Sequence, residues 1–137
     1  MDVIAAVKAF LEAKKPKVKD VKAVSSPTDH GTDIIVTFQG SLEMEIEAKV
    51  QTSSKSTTAR FGKEFASNHK EDHLGLALLK ACQTISKSRL AGIALPDDKK
   101  DKELILSIEK ALKMLGVVVF LVSKDKSVTI EIGELPF

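Results

Sequence analysis

Apolar residues recur along this chain at two different intervals, and each interval predicts a different element. In DVIAAVKAFLEAKK the positions Val3, Ile4, Val7, Phe10 and Leu11 return at three and four, Asp2 stands where a cap belongs, and Pro16 closes the segment, so a first helix is predicted. KVKDVKAV, with Val18, Val21 and Val24, and TDIIVTFQ, beyond the turn-rich SSPTDHG, read as two strands. Gln39 and Gly40 then turn the chain into LEMEIEAKV, residues 42–50, where the alternation is strict. Its period of two places Leu42, Met44, Ile46, Ala48 and Val50 on one face, predicted to be buried beneath a helix, and Glu43, Glu45, Glu47 and Lys49 on the other.

The stretch from Gln51 to Asp72 is polar and rich in Ser and Thr, and reads as a long connection or one carrying a short helix around Phe61 to Phe65. HLGLALLKACQTISKS is helical in pattern through Leu74, Ala77, Leu78, Ala81 and Ile85. LAGIALP is a short apolar run suited to a buried strand. DDKKDKELILSIEKALKML predicts one helix with Leu104, Ile105, Ile108, Leu112 and Leu115 inward, ended by Gly116. GVVVFLV reads as a second buried strand and SVTIEI as an edge strand. Ile93, Leu95, Val118 and Phe120 are expected in the same core as Met44 and Ile46.

The resulting order, αβββαβαβ with a final strand, predicts an α/β fold: an antiparallel meander feeding a right-handed crossover into two central strands, with helices on both faces of a mixed sheet. The third strand then becomes central. Unpaired carboxylates buried there cost several kcal/mol each, so the acidic face either opens into a cleft or is neutralised by a cation.

At 137 residues with 43% hydrophobic composition, the chain is expected to form a single domain spanning 1–137. Its 21 basic and 19 acidic residues leave a charge of +2, so any basic surface is local. One cysteine, Cys82, excludes an intramolecular disulfide and fits a reducing interior, which makes the cytoplasm the expected location. No apolar run reaches the roughly 18 residues needed to span a bilayer, and the first residues lack the basic-then-apolar order of a signal peptide.

Asp33 at the start of one strand, followed 14 residues later by Glu47-Ala48-Lys49 near the end of the next, resembles the signature of the PD-(D/E)xK, or restriction endonuclease-like, nuclease superfamily. The element order matches as well, over about residues 2–122. The resemblance implies a restriction endonuclease-like fold and metal-dependent hydrolysis of phosphodiester bonds, with DNA endonuclease activity as the expectation. It implies Asp33, Glu47 and Lys49 as catalytic residues, and Asp33, Glu47 and the backbone carbonyl of Ala48 as ligands of Mg²⁺, with Mn²⁺ as the substitute. The residue types suit that chemistry. Two carboxylates on paired strands offer the hard oxygens Mg²⁺ accepts, and Lys49 lies on the face of Glu47, roughly 6.6 to 6.8 Å along the strand, where it can orient water.

Each residue has a plainer reading too. Glu47 and Lys49 form a surface ion pair, Asp33 is a turn residue after Gly31, and Glu43 and Glu45 are solvated, with Glu45 as a second ligand the alternative. Lys80 and Gln83 are read as helix-surface positions that can touch the cleft, Asp29 and His30 as loop residues of which the histidine can approach a metal or phosphate, Glu12 as a solvated helix position where the resemblance implies an extra acidic residue, and His69 with His73 as a weak metal-ligand pair. Thr32 stands where the family has proline, and without Tyr the Gln-x-x-x-Tyr motif of exonuclease branches is absent. No Trp or Tyr is present to stack on splayed bases, so nucleic-acid contact falls to phosphate attraction. Lys55, Arg60 and Lys63, just beyond Lys49, are the candidates, ahead of the cluster Lys14, Lys15, Lys17, Lys19 and Lys22. A domain of this size implies a homodimer or a subunit of a larger complex. The competing reading is a non-catalytic nuclease-fold module that binds nucleic acid or a protein and keeps Asp33, Glu47 and Lys49 as an ion network.

Overall fold

The computed structural model describes residues 3–23, 33–48 and 59–136, with side chains described outside 59–70. Six strands form one mixed sheet in sequence order: β1 (Val18–Ala23), β2 (Ile34–Phe38), β3 (Glu43–Ala48), β4 (Leu90–Pro96), β5 (Val118–Val122) and β6 (Val128–Ile132). β1, β2 and β3 are an antiparallel meander, β3, β4 and β5 run parallel, and β6 returns antiparallel at the edge. The four helices are α1 (Val3–Glu12), α2 (Ala59–Ser86), α3 (Lys99–Ser107) and α4 (Glu109–Leu115). The order is the one expected from the sequence, with the third strand inside the sheet.

Two cores lie on opposite faces of the sheet. On one, α1 buries Val3, Ala6, Val7 and Leu11 against Ile34, Val36, Phe38, Met44, Ile46, Ala48, Ala94, Val118, Phe120 and Val122. Phe10 meets Phe120 edge to face at 6.3 Å. Val18 and Val21, three apart, both join this core because a register shift between Val18 and Asp20 inserts an extra residue into β1. On the other face, Ala91, Ile93, Leu95, Val119, Leu121 and Ile132 pack against Leu74, Ala77 and Ala81 of α2, Ile105 of α3 and Leu112 of α4.

Several expectations are corrected here. Ile93 and Leu95 are buried, but not with Met44: the parallel register pairs Ile46 with Gly92 and Glu47 with Ile93, which puts Ile93 on the glutamate side. Leu42 is 42% exposed because β3 begins one residue later, after the left-handed turn at Gly40. Val24 and Val50 lie outside the described residues. Of the two readings of the polar stretch before Asp72, the helix around Phe61 to Phe65 holds, but it is not short: α2 is helical from Ala59 and runs unbroken to Ser86. The single helix expected over 97–115 is two, divided at Ile108 (φ −122°, ψ 21°), and Leu115 is 40% exposed rather than inward. Gly116, at φ 76°, ends α4 in the left-handed conformation that glycine adopts without strain. Among the described residues no helix is long and apolar enough to cross a membrane.

Candidate functional site

The alternation of β3 sends Met44, Ile46 and Ala48 toward α1 and leaves Glu43, Glu45 and Glu47 on the side covered in part by α2. These three glutamates have different surroundings. Glu45 is buried; Thr84 Oγ1 donates to its Oε1 at 3.1 Å, and the Arg89 guanidinium donates to its Oε2. Arg89 Nε also stands 3.9 Å from Glu43 Oε1. The hydrogen bond to Glu45, the charge of Glu45 and that of Glu43 together hold the guanidinium pKa above its ordinary value. The reading of Glu45 as solvated is therefore overturned. Both its oxygens are engaged by α2 and the turn that follows it, which also removes it as an available second ligand.

Glu47 is held differently. Lys80 Nζ, from α2, donates to its Oε2 at 3.1 Å, while Oε1 is buried and meets no hydrogen-bond donor among the described residues. Its pKa is raised to about 7, chiefly by burial and then by the charge of Asp33, with the Lys80 hydrogen bond and charge opposing. Asp33 sits just before β2, one step beyond the Ile34–Ile46 pair, so antiparallel register brings it opposite Glu47. Its Oδ2 accepts from the backbone N–H of Ala48 at 2.9 Å. One oxygen of each carboxylate is thus fixed by the protein, and the two carboxyls are within hydrogen-bonding range of each other.

Beside them lies a recess of about 10 Å³ lined by Glu45, Glu47, Lys80, Ala81, Thr84 and Gly92, the space of about one water molecule. α2 can lie this close to β3 and β4 because the positions it turns inward are small, Ala77, Ala81 and Thr84.

Of the residues singled out in the sequence, Asp33, Glu47 and Ala48 are brought together. Lys49, Lys55, Asp29 and His30 lie outside the described residues. Arg60 and Lys63 fall near the start of α2, with side chains outside the described set, as is that of His69. His73 is half-buried and Gln83 exposed. Glu12 is exposed on α1, which packs on the sheet face away from Glu47. Thr84 and Arg89 were not singled out. The one local signal for Arg89 was a basic residue at the entrance to the buried run LAGIALP, where the parallel register sets it beside Glu43.

Among the described residues no three His, Cys, Asp or Glu side chains converge. Asp33 and Glu47 suit a small hard cation that takes one or two carboxylates and completes its shell with water and substrate oxygens. A cation, a shared proton or a water in the recess would each satisfy the buried Oε1. No protein-family model matches the chain, and no curated protein matches its sequence.

Proposed function

We propose that this protein is a metal-dependent nuclease of PD-(D/E)xK type that hydrolyses phosphodiester bonds in DNA. The observation that carries the reading is the orphaned, buried Oε1 of Glu47 beside Asp33, at a recess of one-particle size. Asp33 and Glu47 would hold Mg²⁺ or Mn²⁺, together with the carbonyl of Ala48. Such an ion supplies charge stabilisation at the phosphate and a more acidic bound water. The protein's own part is placement. Ala48 N–H fixes Asp33 by one oxygen and Lys80 fixes Glu47 by one oxygen, so neither carboxylate has to be reorganised when a cation arrives. Lys49, two residues after Glu47, is assigned to orienting the attacking water, and Lys55, Arg60 and Lys63 to phosphate attraction along the strand. A homodimer, or a place in a larger complex, belongs to the same proposal, as does a cytoplasmic location.

One observation favours a second reading. Lys80 already pairs with Glu47, and a non-catalytic module keeping this cluster as an ion network would look the same in the absence of a cation. Incubation with supercoiled plasmid, single-stranded and branched DNA separates the two. The nuclease is expected to nick in Mg²⁺ or Mn²⁺, to stop in excess EDTA, and to lose at least about 100-fold in rate in Asp33→Asn, Glu47→Gln and Lys49→Ala. Purified wild type that cleaves none of these substrates in either metal leaves the binding module.

A further inference from the structure

Three charged side chains are linked through Glu47: Glu47 and Lys80 line the recess with Glu45, and Asp33 acts on Glu47 from the neighbouring strand. The charge of Glu45 is matched separately by Arg89. Lys80 flanks the inward stripe of α2, Leu74, Ala77, Ala81 and Thr84, and its side chain is 32% exposed, so its ammonium faces both the carboxylates and the solvent side of the cleft. A lysine in that position is no ordinary helix-surface residue. It stands 3.1 Å from Glu47, in surroundings that screen charge less than open water does.

The count of charge has a consequence for substrate order. With both carboxylates ionised, Asp33, Glu47 and Lys80 sum to −1 without a divalent ion and to +1 with one bound, and the charge of Lys49 adds equally to both. A neutral side chain in place of Lys80 would lower the loaded centre by one charge. Resting on the reading of Asp33 and Glu47 as a cation site, we propose that Lys80 is the resident counter-ion of that site and a phosphate-positioning residue. It balances Glu47 before the ion enters, competes weakly with the ion, and makes the loaded centre more positive so that the nucleic-acid phosphate follows the ion.

Lys80→Met and Lys80→Arg test it, with calorimetric titration of Ca²⁺, which allows binding to be measured apart from cleavage, and anisotropy of a short labelled duplex in Ca²⁺ and in EDTA. In Lys80→Met the two affinities are expected to move in opposite directions. Ca²⁺ binds at least about 3-fold tighter, because a like charge near the ion has gone. The duplex in Ca²⁺ binds at least about 10-fold weaker, because the loaded centre has lost a positive charge that faces the phosphate. Lys80→Arg stays near wild type in both. A variant with both affinities unchanged makes Lys80 a plain ion-pair partner and overturns the proposal. Weakening of both, with a lowered melting temperature, makes its role structural and overturns it equally. If wild type binds no Ca²⁺, the cation-site reading itself falls and this one with it; normal wild-type binding with an unresponsive Lys80→Met removes only the inference about Lys80.

Discussion

At the scale of single residues, three glutamates on one face of one strand have three fates, decided by what α2 and the turn after it bring to each. Glu43 remains half-exposed, Glu45 is buried and answered by Thr84 and Arg89, and Glu47 is held by one oxygen with the other left bare. The raised pKa of Glu47 makes stability depend on pH in a definite direction. The folded chain keeps this proton up to about pH 7, whereas an unfolded one releases it near the usual 4.5, so folding binds the proton within that window. The stabilisation from this group is complete below about pH 4.5 and is lost as pH rises through 7, in all on the order of 3 kcal/mol. Denaturant unfolding at pH 5 and pH 8 should therefore show wild type losing more stability than Glu47→Gln, with saturating Mg²⁺ narrowing the difference. Equal pH slopes in the two proteins would mean that Glu47 titrates like an exposed glutamate.

At the scale of elements, the end of α2 is clamped to β3. Thr84 and Arg89 both reach Glu45, 39 and 44 residues earlier in the chain, and hold the helix end and the start of β4 against the acidic strand. Arg89→Met removes the guanidinium from the buried Glu45 carboxylate, and since Arg89 is nearly half exposed the loss is expected at about 1–3 kcal/mol in chemical denaturation. Cation affinity at Asp33 and Glu47 should change little, because neither of them touches Arg89 through a bond that fixes its position. The same clamp shows what could be read ahead of the structure. Alternation in LEMEIEAKV gives the face of each glutamate from neighbouring residues alone, and LAGIALP and GVVVFLV carry enough apolar residues in a row to mark buried strands. The surroundings of Glu45 depend on residues some forty positions away, which no local pattern contains. The helix around Phe61 to Phe65 is one of the readings open in the sequence, but its continuity into the helix from His73 is not legible, because Ser67 to Asp72 carry no apolar stripe. The break at Ile108 was hidden for the opposite reason: LILSIEKALKML keeps a helical period straight across it.

At the scale of the whole molecule, one sheet separates two cores, and register decides which of them each strand residue joins. A shift of one residue in β3 would send the glutamates into the apolar layer under α1, so the hydrophobic alternation that stabilises the fold also fixes Asp33 and Glu47 on the cleft side. A net charge of +2 supplies no general attraction for a polyanion, so on the proposed reading phosphate is drawn locally, by Lys55, Arg60 and Lys63 and by the balance among Asp33, Glu47, Lys80 and a cation. The central claim is that Asp33 and Glu47 share one divalent ion. The most direct measurement is anomalous diffraction from crystals grown or soaked with Mn²⁺. The account predicts a single strong peak in contact with carboxylate oxygens of both Asp33 and Glu47, Oε1 being the glutamate oxygen engaged. A map with no peak there at millimolar Mn²⁺, with Lys80 still paired to Glu47, would contradict it.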